Sequence, residues 1–393
     1  MKLRVISPWY PSEYSPHSGK FVESQVMALQ DSNIDVSVEV PRVFPTSTNL
    51  SKAKAHYYLK KIANSGTKNL YTETCGATWV PCPVFTPSNV LSRAKGFESG
   101  FSLRYELIQD DADIVHAHLG LPTGWAVSGL VTEPLVITEH QSNLRYLLSD
   151  PRALDAYLEI SNRAEVFVCV SEFLKSEILD LLGSGLSRSV TVVPNIVDFD
   201  SFDLVNRQEY GCLSWIYVGN LSRNKGILRL LKTFDLYKKK VAPEATLTII
   251  GEGPLFRWIE NFALRRGIRN SVLLLGSKPH GSLRDYFSSA DLMVHLSDLE
   301  TFGVAPLEAL ASGMPVVSFH NGGSDGTWRD IENFSGRLLE KSSSEEDIVE
   351  AIVDISEGAS RLDFTKARLH LEGKFSAKIV SDALKDIYRD LVR

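Results

Sequence analysis

Two carboxylates stand out: Glu300 and Glu308, eight residues apart in Glu300-Thr301-Phe302-Gly303-Val304-Ala305-Pro306-Leu307-Glu308. An ionised carboxyl accepts two vicinal hydroxyls at once, the arrangement a ribose or hexose presents. Gly303 permits close backbone approach, and Pro306 suits a helix's first turn, which puts Glu308 about one turn into that helix. The amides of Phe302–Val304 then stand at the helix N-terminus, where an anion is stabilised. Carboxylates so spaced can reach different parts of one elongated ligand. Either glutamate alone is equally well explained as a solvated or helix-terminal charge; the whole string is not.

A second cluster, Gly219-Asn220-Leu221-Ser222-Arg223-Asn224-Lys225-Gly226, directly follows an apolar run at 213–218. It lacks the G-x-x-x-x-G-K-[ST] spacing of a P-loop. Arg223 and Lys225 precede a helical segment at 227–238, where a diphosphate would suit them. Taken alone, the segment is better read as a solvated basic turn. Gly251-Glu252-Gly253-Pro254 is a weak G-x-G, with Pro254 read as the first turn of a helix. Ser277 and Pro279, in the loop 276–280, could offer backbone groups to a nucleobase edge, and Gly322-Gly323-Ser324-Asp325 reads as a turn over a ligand. Gly19 sits in a Ser/Pro/Gly loop before a helix at 22–29. Glu139-His140-Gln141 ends a strand, where an acid or base would be placed. His116 and His118 share a strand face but lack a third ligand at fitting spacing, so buried, hydrogen-bonded histidines are the better reading than zinc.

These residues need a scaffold that gathers loops at strand ends. Apolar runs at 3–6, 36–40, 113–115, 135–138, 166–170 and 190–193 read as strands of one half, and runs at 213–218, 247–250, 272–275, 292–295 and 316–318 as strands of a second. Their hydrophobicity is continuous rather than alternating, as in parallel sheets covered on both faces. Helical segments between them, such as 22–29, 174–182 and 227–238, give βαβ units. The expected fold is α/β: two Rossmann-like doubly wound parallel-sheet domains facing across a cleft, with ligands at the carboxyl ends of the strands. The polar stretch 198–211 places the junction near residue 205. Lys341–Glu346 reads as a helix cap with an acidic first turn.

The chain has 393 residues, too many for a single core of about 250–300. Its 44% hydrophobic and 23% charged content excludes disorder, and a net charge of −6 gives no basic field for nucleic acid. Four scattered cysteines without a CxxC pair argue for free thiols in a reducing compartment. No signal-peptide core and no membrane span of about 18 apolar residues is visible, so a cytoplasmic location is expected. Segment 52–61, with Tyr57, Tyr58 and four lysines, offers a surface for anionic lipid or a lipid-linked acceptor at the inner face of a membrane. A solvated helix with snorkelling lysines explains it better.

Together these motifs resemble the retaining GT-B nucleotide-sugar glycosyltransferases of family 4. The E-x(7)-E of that family matches Glu300…Glu308, and its post-strand glycine loop ending in K-G is similar to Gly219 through Lys225-Gly226. Its I-G-x-G-P, V-P-N-x-V-D and V-S-E-x-L-K motifs match 250–254, 193–198 and 170–175. The resemblance implies an acceptor-binding domain at 1–204, a donor-binding domain at 205–373, and a C-terminal helix at 374–393 crossing back to the first. It implies Glu308 on the ribose, Glu300 on the transferred sugar, and Thr301, Phe302, Gly303 and Val304 around the sugar or phosphates. Gly219, Asn220, Ser277 and Pro279 would line the donor, as would Gly19 in an N-terminal glycine loop. Lys225, helped by Arg223, would neutralise the departing diphosphate, so neither a metal nor another cofactor is expected. His140 matches a cleft histidine of the family.

The implied reaction moves a hexose or N-acetylhexosamine from a UDP-sugar, or secondly GDP-mannose, to a hydroxyl of a glycan, lipid-linked or small-molecule acceptor. Asn220 stands where Arg is usual, and Gly326 where Glu often follows the Gly-Gly turn. The alternatives are a non-catalytic nucleotide-sugar-binding subunit, kept open by Asn220, and a sugar-nucleotide 2-epimerase. An early G-T-R-P-like loop of that last group is missing here.

Overall fold

Two parallel sheets are built from short strands of buried apolar residues. The computed structural model describes all residues except 14, 47–59, 61–71, 75, 86–87, 108–110, 187–189 and 206–210. The first sheet comprises β1 (Lys2–Ile6), β2 (Asp35–Thr46), β3 (Thr72–Thr74), β4 (Ala77–Phe85), β5 (Ile114–His118), β6 (Leu135–Glu139), β7 (Val166–Cys169) and β8 (Val190–Val192). Its order is β3-β4-β2-β1-β5-β6-β7-β8, with only β3 antiparallel to its neighbour. The second holds β9 (Ser214–Val218), β10 (Thr246–Ile250), β11 (Val272–Leu274), β12 (Leu292–His295), β13 (Val316–Phe319) and β14 (Gly336–Leu339), in the order β11-β10-β9-β12-β13-β14. All its strands run parallel. Strand order reverses at β1/β5 in one sheet and at β9/β12 in the other. Each reversal opens a crevice at the strands' carboxyl ends.

The chain divides into Met1–Pro194 with Val380–Arg393, and Asn195–Ile379. The sequence alone suggested divisions near 205 and 374. Hydrogen bonds explain the difference. Arg368 donates to the carbonyls of Phe199 at 2.7 Å and Ala311 at 3.0 Å, and to that of Phe202, so residues 195–204 belong with the second unit. Val197 N donates to Phe375 O at 3.0 Å. The expected C-terminal helix is Ala377–Leu391, parted at Ser376 from a separate helix, Phe364–Phe375.

Three strands escaped the sequence reading: β3, β4 and β14. In β4, Pro81 and Pro83 argue against a strand interior, yet β3 covers only residues 77–79. The prolines lie beyond it, where a missing N–H breaks no ladder. Pro41 and Pro45 of β2 likewise lie beyond its pairing with β1, which ends at Glu39. Strand β5 runs past the apolar run at 113–115 to His118, with His116 and His118 both buried on it.

The helix cap expected within 341–346 is present. Ser344 and Asp347 form a capping box at Glu345–Glu357, and Ser171 Oγ accepts from Leu174 N at 3.2 Å. Pro254 is a correction: its helix starts only at Phe256, and Pro254 lies in the preceding turn. Cys82, Cys169 and Cys212 are buried free thiols; Cys75 lies outside the described residues. So does the segment 52–61, apart from Lys60, which pairs with Glu106 at 2.7 Å. No helix among the described residues is long and apolar enough to cross a membrane.

Candidate active site

In the second unit, the loops that leave the strands' carboxyl ends are joined by backbone hydrogen bonds. Gly219 N donates to Ile250 O at 3.0 Å, Gly251 N to Gly276 O at 2.9 Å, Asp298 N to Asn224 O at 3.0 Å, and Glu300 N to Asn321 O at 2.9 Å. The loops after β9, β10, β11, β12 and β13 therefore form one connected rim. Gly226 makes this possible: at φ 70°, a β-carbon there would lie 1.7 Å from the carbonyl oxygen of Leu296.

Lys225 and Glu300 meet on this rim. The Lys225 ammonium donates to both Glu300 oxygens at 2.8 Å, and His295 Nε2–H donates to Oε1 at 3.0 Å. Burial drives the Glu300 carboxyl up, but the His295 hydrogen bond and the Lys225 charge outweigh it and hold it at about 2. It is ionised at neutral pH. Gly323 gives it room, since a β-carbon there would come within 2.8 Å of Glu300 Cβ.

Glu308 occupies the helix Val304–Ala311, opened by Gly303 in the left-handed region. It is buried, and His280 Nε2–H donates to its Oε1 at 2.7 Å. Thus each glutamate carries a histidine that the sequence reading did not assign. Its only signal was a polar residue, His295, ending a buried strand. Phe302 is buried with its ring edge-on to Phe375, 5.2 Å away. The amides of Phe302 and Gly303 donate to no group among the described residues. Thr301, Gly303 and Val304 are half-buried beside them.

The remaining candidates of this unit are more open. Arg223 is exposed, and its side chain makes no ion pair among the described residues. Asn220 is exposed; its carbonyl accepts from the Tyr217 hydroxyl at 2.9 Å. Its side-chain oxygen lies against Gly253, where a β-carbon would come within 2.6 Å. Ser277 is half-buried, and the Pro279 carbonyl accepts from Ser282 N at 3.0 Å and Oγ at 2.7 Å. Asp325, next to Gly326, is engaged by His320 and by Gly322 N at 2.9 Å.

In the first unit the candidates gather at β5 and β6. Three imidazoles stack: His116 on His118 at 4.7 Å, and His118 on His140 at 5.1 Å. His118 Nδ1 and His140 Nε2 share a hydrogen bond of 2.8 Å. His116 bonds Tyr388 through Nδ1 and Thr138 through Nε2, both at 2.7 Å. Burial lowers His116 and His140 to about 3, and His118 well below its usual value, so the stack is neutral. Phe21 covers His140 at 4.6 Å. Phe21 is carried by the helix Lys20–Asp31, which Gly19 opens at φ 67°, with Trp9 O only 2.2 Å from where a β-carbon would sit.

Glu139 proves to be a structural anchor. It is fully buried and accepts from the amides of Gly120, His140 and Gln141 and from the Tyr157 hydroxyl. No group of three His, Cys, Asp or Glu among the described residues could hold a metal ion.

The comparison with known proteins decides what this rim belongs to. The family model described as Glycosyl transferases group 1 matches residues 213–368, and that described as Glycosyltransferase Family 4 matches residues 52–201. The chain belongs to glycosyltransferase family 4. This family 4 glycosyltransferase is 28% identical over 372 residues to TuaC of Bacillus subtilis, assigned to teichuronic acid biosynthesis; the match covers 90% of this chain and 88% of TuaC. Its fold is GT-B. The sucrose-phosphate synthase structure from Thermosynechococcus elongatus superposes with a TM-score of 0.77 at 16% identity, over 99% of this chain and 98% of that one. HepE of Anabaena, solved in complex with UDP-glucose, gives 0.69 at 17% identity, over 99% and 100%.

Proposed function

We propose that this glycosyltransferase moves a hexose or N-acetylhexosamine from a UDP-sugar to a hydroxyl acceptor, with retention and without a metal. The observation that carries the reading is the joining of Lys225, Glu300 and Glu308 on one rim, beside the amides of Phe302 and Gly303. Glu308 would accept the ribose hydroxyls, and Glu300, ionised at neutral pH, the hydroxyls of the sugar. Lys225, with the exposed Arg223 near it in the same loop, would neutralise the charge that grows on the leaving diphosphate. The bond from the anomeric carbon to the diphosphate breaks, and the acceptor oxygen bonds that carbon on the same face. The acceptor's proton passes to a phosphate oxygen, so no protein nucleophile is needed.

A UDP-sugar is favoured because HepE was solved with UDP-glucose. A GDP-mannose donor is the nearest variant, since no side chain here is assigned to read the base. In the first unit, Gly19 is a candidate donor contact and His140, held neutral by burial, a candidate catalytic residue. Glu308→Ala should reduce turnover of the donor at least about a hundredfold, because a bidentate charged contact to the ribose is lost. Unchanged turnover in that variant would refute the donor site.

A further inference from the structure

We infer that His295 is a positioning residue that holds Glu300 in place when Lys225 turns to a diphosphate. The inference deepens the donor-site reading above and rests on it. Lys225 donates to both Glu300 oxygens at 2.8 Å, so one ammonium is asked to serve the carboxylate and, in the proposed reaction, the phosphates. A lysine is a point charge on a flexible stem, and its hydrogen bonds are readily redistributed. As they shift, Glu300 needs a second donor that does not move, or it will follow the ammonium away from the sugar.

His295 supplies that donor. It ends β12, is buried, and points Nε2–H at Glu300 Oε1 from 3.0 Å. Its ring lies flat on Tyr217, with centroids 5.7 Å apart and planes 10° from parallel. Its backbone carbonyl accepts from Ser318 Oγ at 2.9 Å on the neighbouring strand. The imidazole is therefore fixed by stacking, by strand position and by Glu300 together. The carboxylate only accepts, so the tautomer is set: Nε2 carries the proton. Nδ1 is then buried with no hydrogen-bond partner among the described residues. An apolar side chain would fill the same space without leaving that nitrogen unmet, so packing alone does not account for a histidine here.

The test compares wild type with H295L and H295Q, using release of sugar from UDP-glucose, UDP-N-acetylglucosamine and GDP-mannose, and calorimetric binding of UDP and GDP. Glutamine places an amide near the position of Nε2 but cannot stack as a ring. With the best donor, kcat should fall about tenfold to a hundredfold in H295L. The Kd of the nucleoside diphosphate, which carries no sugar, should change less than about threefold, and H295Q should regain most of the lost kcat. Equal kcat in H295L and wild type would overturn the assignment. So would a joint loss of binding and turnover that glutamine does not rescue, the pattern of a purely structural residue. Should H295L fail to fold, H295Q decides alone: near-wild-type kcat supports the assignment, and a hundredfold loss in a folded protein overturns it. A wild type that turns over none of the three donors would instead remove the donor-site reading, and this assignment with it.

Discussion

Replacing Lys225 by Met keeps the stem and removes the ammonium that two hydrogen bonds of 2.8 Å tie to a buried carboxylate. A carboxyl held at about 2 rather than at 4.5 stabilises the native state by about 3 kcal/mol at neutral pH. His295 and Lys225 share a pull larger than this net effect, since it also offsets burial, and the Lys225 part is about 2 kcal/mol. The sign follows from a lowered acid: the stability is present above pH 4.5 and is lost as the pH falls through 2. Lys225→Met should thus lower the melting temperature of the second unit by about 4–8 °C at pH 7. It should also flatten the decline of stability below pH 4.5. Removing both partners in Lys225→Met/Glu300→Gln should cost less than Lys225→Met alone, because no unpaired buried charge remains. Differential scanning calorimetry of the full chain reads wild type, Lys225→Met, Glu300→Gln and the double variant. A Lys225→Met melting temperature within 1 °C of wild type, or additive losses in the double variant, would refute the electrostatic account.

Gly226→Ala should destabilise by at least about 2 kcal/mol by urea unfolding, since the residue combines a left-handed φ of 70° with a close carbonyl. In the first unit, His116 and His140 are lowered to about 3 by burial. Stability is full above the unfolded value near 6.5 and is lost as the pH falls toward 3, by about 2 kcal/mol for each between pH 7 and 5. His116→Asn should shrink that pH-dependent loss by about the same amount. Equal pH slopes in variant and wild type would show that the stack does not hold its histidines neutral.

Much of this architecture is legible in the sequence because parallel sheets bury both faces and so spell out short apolar runs. Every run assigned as a strand is one, give or take a residue or two except in the long β2 and in β5. What was hidden follows from physics that local pattern does not carry. Pro81 and Pro83 mask β4 because whether a proline breaks a ladder depends on how far the neighbouring strand extends. Gly336–Leu339 offers only two consecutive apolar residues, and its place at the sheet edge comes from β13. At the site, the spacing of Glu300 and Glu308 and the cations of 223–225 were readable, since each lies in a contiguous string. The partners were not: the hydrogen bond from His280 to Glu308 joins two separate segments, and His295 meets Glu300 only because the chain turns back just after β12. The stack of His116, His118 and His140 likewise needs β5 and β6 to be neighbours. Glu139 reads as an acid or base from its strand-end position, but four hydrogen bonds occupy it.

The most direct measurement is binding and slow hydrolysis of UDP-, GDP-, ADP- and TDP-sugars by the wild-type chain with EDTA present. The account predicts that one nucleotide class, UDP first, is bound and turned over with the chelator in place. Binding of no donor would contradict it, marking Asn220 as the sign of a lost phosphate site and favouring a non-catalytic subunit. Turnover that disappears with EDTA and returns with a divalent cation would contradict the role given to Lys225.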